Sequence, residues 1–376
     1  MAIKILSGAL SEALGRAELP LSEKWAKRVP ILTAVKLAAG GDGLSVTRSS
    51  FDGTIVTTIE ATGEGEVAVP FERLAALAGH FPADAELTIG CDGNVATVAS
   101  GRSRFKLPVF PLPDLPERHI LGEETGRVDI EAKAARDLFA RPAFAASSEA
   151  TRCYLNGIFL HSVGDDLVAV ATDGYRLCRV ATPATTTLST DRTLIVPNEM
   201  VKAVNRLIGR ATGSVTLRRS ERLFAIEGAG SSLVTKRIDA NFPNYERLIS
   251  FGAPNTVTVS RARLRESLAR FAAVADREAR THAVRLRWNG DGLQLSAPDG
   301  SVDLLAAEVE GKAETAAQVR YLAELMGALR GDSARLSIGE SGNMFLVSDP
   351  DDQTFTALQM PRVLQSAAVP TAEAAE

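Results

Sequence analysis

The sequence predicts an α+β fold built from three tandem copies of one domain, each an antiparallel sheet with short helices packed on one face. Three observations predict it. An Asp-Gly turn recurs as Asp52-Gly53, Asp173-Gly174 and Asp299-Gly300, at steps of 121 and 126 residues. A second marker keeps phase with it. Val69-Pro70-Phe71-Glu72, Val196-Pro197-Asn198-Glu199 and Val319-Arg320-Tyr321-Leu322 each open an apolar helical pattern, at steps of 127 and 123 residues. Each copy then closes near a Pro-flanked apolar residue, at Pro111 to Pro116, Phe242-Pro243 and Met360-Pro361. A period this long exceeds the roughly 20 to 50 residues of a solenoid repeat and matches a small domain.

The first copy spans 1–120. Ser7 to Leu19 reads as a helix with Leu10 and Leu14 on one side and Pro20 beyond its end. Residues 31–38, 43–48 and 54–61 alternate like half-buried strands, separated by Gly40-Gly41-Asp42-Gly43 and Phe51-Asp52-Gly53. The second copy spans 125–248. Val128 to Glu131 forms a strand leading into a helix that ends near Ala145, and strands follow over 152–161, 166–171 and 175–181. The third copy, 254–364, repeats the plan. Residues 365–376, rich in Ala and Glu, read as a disordered tail.

Composition narrows the function classes. With 45% apolar residues each copy has material for its own core, and no run approaches the roughly 20 apolar residues of a membrane span. The N-terminus lacks a secretory pattern, so a cytoplasmic location without membrane association is expected. Cys91, Cys153 and Cys178 lie far apart in strand-like runs and read as buried thiols.

The net charge of -4 argues against a uniformly basic nucleic-acid binder, but the cations cluster. Lys202, Arg206 and Arg210 are spaced four apart along one helical face, Lys133, Arg136 and Arg141 lie in the helix before them, and the predicted helix 260–280 carries Arg263, Arg265 and Arg270. Basic helices at matching places in repeated units can line one surface with cations in an acidic protein.

Enzyme signatures are missing. Gly63-Glu64-Gly65-Glu66-Val67-Ala68 imitates a dinucleotide fingerprint, but Pro70 stands where its helix should extend. There is no phosphate-binding G-x-x-x-x-G-K-[ST] run, and His80, His119, His161 and His282 lack metal-ligand spacing. No catalytic residue, metal ligand or cofactor site is readable, which favours a binding or scaffold protein over the rival reading, a hydrolase or transferase of repeated α+β domains.

Arg152-Cys153-Tyr154-Leu155-Asn156-Gly157 followed by Ala171-Thr172-Asp173-Gly174-Tyr175-Arg176-Leu177 resembles the bacterial DNA polymerase III β sliding clamp family, whose most recognisable run is A-T-D-G-H-R-L, with Tyr175 here in place of His. Gly101 to Leu107, Ile195-Val196-Pro197, Phe242-Pro243-Asn244-Tyr245 and Met360-Pro361-Arg362-Val363 match in the family's order, so the resemblance covers nearly the whole chain. It implies a homodimer of three-domain subunits closed into a six-domain ring around duplex DNA, with sheets outside and helices lining the hole. The ring slides without sequence preference, performs no catalysis and no exonuclease cleavage, and tethers the polymerase α subunit, with the clamp loader and other peptide-bearing proteins as further partners. A clamp paralogue serving repair or a mobile element is the alternative within the family.

The resemblance also implies sites. Arg136, Lys202, Arg206, Arg210, Arg263 and Arg270 are expected to face DNA. Phe105 and Leu107 are expected to meet Phe271, Ala273 and Val274 of a second subunit, with Ala273 smaller than the aliphatic residue expected there. A peptide cleft is expected from Leu155, Thr172, Gly174, Tyr175, Arg176 and Leu177, from Pro243, Arg247 and Leu248 of the connector, and from Met360 and Pro361. Asn198 and Glu199 depart from the basic residues of many relatives.

Overall fold

The computed structural model describes residues 2–41, 43–188, 191, 193–209, 211–250, 252–274, 282–339 and 344–362. The threefold plan is visible in the order of elements. In the first copy β1 (Ala2–Leu6) leads into α1 (Ser7–Arg16) and the short α2 (Glu23–Arg28). Then come β2 (Ala34–Gly40), β3 (Gly43–Ser49), β4 (Gly53–Ile59), β5 (Thr62–Pro70), α3 (Phe71–His80), β6 (Glu86–Asp92), β7 (Val95–Ser100) and β8 (Ser103–Pro108). The second copy runs β9 (Gly126–Glu131), α4 (Ala132–Ala140), β10 (Gly157–Val163), β11 (Asp166–Thr172), β12 (Arg176–Pro183), β13 (Ile195–Pro197), α5 (Asn198–Ile208), β14 (Ser214–Arg219), β15 (Leu223–Gly228) and β16 (Ser231–Lys236). After α6 (Glu246–Ile249), the third runs β17 (Asn255–Ser260), α7 (Arg261–Val274), β18 (Ala283–Trp288), β19 (Leu293–Ser296), β20 (Val302–Leu305), β21 (Ala307–Glu310), β22 (Ala313–Gln318), α8 (Val319–Ala328), β23 (Ser333–Ile338), β24 (Phe345–Asp349) and β25 (Asp352–Gln359). The three Asp-Gly pairs fall at the equivalent hairpins, β3–β4, β11–β12 and β19–β20.

The chain divides into two compact units. The first holds the described residues of 1–143, 156–168 and 182–242, and the second holds 144–155, 169–181 and the described residues from 243 onward. The first unit carries a twelve-stranded antiparallel sheet in the order β8-β7-β6-β1-β5-β2-β3-β4-β16-β15-β14-β9. Copies one and two join within it where β4 pairs with β16, Ser231 opposite Thr57 and Thr235 opposite Gly53. In the second unit β12-β25-β24-β23-β17-β21 form one sheet, and β20-β19-β18-β22 another.

Period-two alternation explains the strands. In β18, Val284, Leu286 and Trp288 are buried while Arg285 and Arg287 face out. In β3, Leu44, Val46 and Arg48 point inward, and the guanidinium of Arg48 lies 4.0 Å from the ring centre of Phe71. The helices follow the 3.6 period. In α5, Met200, Val201, Val204, Leu207 and Ile208 are buried and Lys202 and Arg206 lie on the exposed side. Each such large side chain contributes roughly 1.5–3 kcal/mol on burial, well above the tenths of a kcal/mol that separate intrinsic helix propensities, so packing rather than propensity places this helix.

Four expectations are corrected. Residues 30–33 form a 3-10 turn rather than the start of a strand, because Pro30 lacks an N–H for a ladder and Thr33 Oγ1 donates to Pro30 O at 2.6 Å. The helix after β9 ends at Ala140, with a separate 3-10 turn at Ala143–Ala145, because Pro142 cannot continue it. Ala150–Leu155 forms 3-10 turns on either side of a kink at Arg152 rather than strand, and this leaves Cys153 exposed; Cys91 is half-buried and only Cys178 is buried. Gly53, unlike Gly174 and Gly300, does not take a positive φ, so the three Asp-Gly pairs are not conformationally identical. Thr62–Pro70, the stretch that imitates a dinucleotide fingerprint, is one continuous strand. No described helix is long and apolar enough to cross a membrane.

Candidate functional site

The turn between β11 and β12, in the second unit, is organised around Asp173. Its Oδ1 accepts from the backbone N–H groups of Tyr175 at 2.9 Å and Arg176 at 3.0 Å, and its Oδ2 from Arg176 Nε at 3.1 Å. Thr172 Oγ1 donates to Arg176 O at 2.7 Å and accepts from Gly174 N at 3.1 Å. Gly174 has φ +88°, a conformation that costs little only for glycine, and a Cβ there would sit 2.9 Å from Arg152 Nη1. These bonds close a tight turn that leaves Tyr175 46% exposed beside the buried Arg176.

Arg176 is the hub. Its side chain reaches Asp173, donates to Glu324 of α8 and to Phe144 O at 2.6 Å, and lies 4.3 Å from the ring centre of Tyr321. Burial pushes the Glu324 carboxyl up, but hydrogen bonds from Arg176 and Arg320 hold it below the usual carboxylate range. The end of the chain's last strand meets the same turn. Arg176 pairs with Gln359 across β12–β25, Met360 N donates to Tyr175 O at 2.8 Å, and the guanidinium of Arg362 lies 6.0 Å from the Tyr175 ring centre.

The structure therefore brings together Thr172, Gly174, Tyr175, Arg176, Met360 and, next in chain, Pro361, which is half-buried. Leu155 and Leu177, 4% and 1% exposed, are core side chains behind the turn rather than its surface. Pro243, Arg247 and Leu248 lie exposed on the connector that carries α6. Glu324 and Arg362 were missed by the sequence reading. Arg320 and Glu324 at i and i+4 on a helix were a weak signal for the first, and the Met360-Pro361 match one residue earlier for the second. The arrangement offers apolar and aromatic surface rimmed by guanidinium groups; among the described residues no three His, Cys, Asp or Glu side chains gather as a metal site.

The expected DNA-facing cations are mostly engaged within the protein. Arg136 is half-buried, and its Nη1 donates to Ile208 O at 3.0 Å and Ala211 O at 2.9 Å, capping the C-terminus of α5, where a cation opposes the helix dipole. Arg206 pairs with Glu18 at 3.0 Å, Arg263 with Glu266 at 3.5 Å, and Arg270 Nε with Asp303 at 3.2 Å. The Arg270 guanidinium holds the Asp303 carboxyl below its ordinary value. Lys202 is exposed and has no ion pair among the described residues; Arg210 lies outside them.

Of the expected subunit-contact residues, Phe105 is 45% exposed with its ring edge-on to Phe81 at 5.9 Å, while Leu107 is buried in the β7–β8 pair. Phe271, 6% exposed, belongs to the core of its own unit, because α7 turns Leu264, Leu268 and Phe271 inward together. Ala273 and Val274 are exposed at the helix end, Val274 to 64%.

The chain matches three family models in succession: the DNA polymerase III beta subunit N-terminal domain over residues 1–119, its central domain over 129–244 and its C-terminal domain over 246–363. It is 29% identical over 374 residues to the beta sliding clamp of Caulobacter vibrioides, covering 96% of this chain and 99% of that one. Among solved structures it resembles the DNA polymerase sliding clamp of Pseudomonas aeruginosa, with TM-score 0.85 and 26% identity over 97% of this chain and 100% of that one. It also resembles the sliding clamp of Bartonella birtlesii bound to griselimycin, with TM-score 0.86, 26% identity and the same coverage.

Proposed function

The chain belongs to the DNA polymerase III beta subunit family, and from that premise we propose that two copies close head to tail around duplex DNA and tether peptide-bearing partners to it. It is a DNA sliding clamp and not an enzyme. The observation that carries this is the unbroken succession of three clamp-domain matches along the chain, with whole-chain likeness to solved clamps. In our reading the domains are 1–120, 125–248 and 254–364.

The finer assignments rest on the geometry and chemistry above. The turn Thr172–Leu177, the strand end Met360-Pro361 and the connector residues Pro243, Arg247 and Leu248 form the partner cleft. Tyr175 and Leu248 supply exposed apolar surface for an anchor residue, Met360 adapts to its shape, and Arg247 and Arg362 provide a polar rim. The polymerase α subunit and the clamp loader are the expected occupants, and replication in the cytoplasm is the setting. Lys202, Arg206, Arg263 and Arg270 touch phosphates without reading sequence, and topological linkage removes the need for tight adhesion. Phe105 with Ala273 and Val274 supplies the exposed apolar part of the contact between copies.

Loading onto nicked circular DNA with a clamp loader and ATP, followed by linearisation of the circle, tests this reading. Retention on circles and loss from linear DNA is expected; equal retention on both overturns encirclement.

A further inference from the structure

The first unit repeats, at the junction of copies one and two, the local plan of the turn that holds Tyr175. A 3-10 turn precedes β2 at Pro30–Thr33 as one precedes β10 at Ala150–Leu155, and a Phe-Pro step opens each connector, at Phe110-Pro111 and Phe242-Pro243. Lys236 N at the end of β16 donates to Asp52 O at 2.8 Å, as Met360 N beyond β25 donates to Tyr175 O.

Beneath the first connector lies a cavity of about 330 Å³. Its apolar wall is Ile31, Leu112 and Leu115, all half-buried. Its floor is the face of β3 opposite the core, where Ser45, Thr47 and Ser49 present hydroxyls. The charged residues lining it are both cations: Lys36, which pairs with Glu66 at 2.7 Å, and Arg118, which has no ion pair among the described residues. Outside the lining, Trp25 and Phe51 pack edge to face at 5.7 Å while remaining 46% and 49% exposed. Phe51 lies two residues from the lining Ser49. Trp25 lies on α2, which packs against the 3-10 turn carrying Ile31. Ile120, 75% exposed, adjoins His119, whose N–H donates to Thr54 Oγ1 at 3.0 Å.

We propose that this groove is a second docking site, for a short peptide of a partner protein that carries an aliphatic anchor beside carboxylates. The anchor fills the space against Ile31, Leu112 and Leu115, a carboxylate pairs with Arg118, and Trp25 and Phe51 cover the anchor. Cavity size fits this occupant, since about 330 Å³ lies at the small end of ligand pockets and takes one or two side chains. The inference rests on the clamp reading only for its biological setting; the groove itself stands within the first unit.

The two tryptophans make the test specific, because Trp25 is exposed and Trp288 is buried. Iodide quenching of the full chain is followed while acetyl-Asp-Glu-Leu-Ile-amide is added, and anisotropy of a fluorescein-labelled copy reports all binding. We expect saturable protection of Trp25 that is abolished by Leu115→Asp, weakened about tenfold by the exposed-site change Arg118→Glu and unaffected by Tyr175→Ser. No protection of Trp25, equal protection in Arg118→Glu, or equal protection by acetyl-Asn-Gln-Leu-Ile-amide overturns the proposal. Protection that rises with protein concentration alone assigns the patch to a second copy and overturns it as well. Failure of the clamp reading is scored separately, by equal retention on circular and linear DNA in the loading experiment, which does not depend on this groove.

Discussion

Replacing Arg176 by Met keeps an unbranched stem of similar bulk and removes a guanidinium that is 6% exposed and joins two segments of the second unit far apart in sequence. The lost interactions are the hydrogen bonds to Asp173, Glu324 and Phe144 O and the stacking on Tyr321. Removing one partner of a buried ion pair typically costs about 3–5 kcal/mol, chiefly because the other charge is stranded. Here neither carboxylate is stranded completely. Asp173 keeps two backbone N–H donors, and Glu324, 31% exposed, keeps Arg320 at 2.9 Å. The expected loss is therefore about 2–3 kcal/mol, below the range for a fully stranded charge. Urea unfolding followed by the fluorescence of buried Trp288, which lies in the same unit, measures it. Glu324→Gln should cost less than Arg176→Met, because it leaves Arg176 on Asp173 and the Phe144 carbonyl. The reasoning is refuted if Arg176→Met lies within about 0.5 kcal/mol of the unmodified protein, the spread of an ordinary surface change.

Two further outcomes are expected. Glu18→Gln frees Arg206 from a half-exposed pair worth at most about 1 kcal/mol, so stability should barely change, while the slope of log affinity against log salt on a short duplex should steepen by up to about 0.9; an unchanged slope removes Arg206 from the DNA surface. His119 titrates below its ordinary value because burial, aided by nearby Lys236, disfavours its charged form. The unfolded chain then binds the extra proton first, so this contribution to stability is complete above about pH 6.5 and is lost as pH falls from there through the lowered folded value. Urea midpoints of the protein and of His119→Asn across that window should converge towards acid pH, and parallel curves would show that His119 contributes nothing.

Much of the architecture was legible in the residues. The Asp-Gly turns and the helix-opening segments at Val69, Val196 and Val319 announce a threefold plan, and each Asp-Gly does occupy the equivalent hairpin, because turn chemistry and helix starts are set by neighbours in sequence. Local signals failed where proline intervened, at Pro30 and Pro142, and where the segment 152–155 formed a 3-10 turn instead of a strand. Motif matching also found the turn around Tyr175 and the strand end that meets it.

What the amino-acid order determined alone is the repeat, its hairpins and the family, all properties of spacing within a few residues or of pattern recurring at domain length. Tertiary structure alone decided which cations are free, since Arg136 is committed to carbonyls 72 and 75 residues away and Arg206 to Glu18 across the first unit. It also decided that Phe271 is core and that Arg176 is held by Glu324, 148 residues distant. Burial and ion pairing depend on which side chains arrive at the same place, and that is settled only when the sheets close and the helices pack.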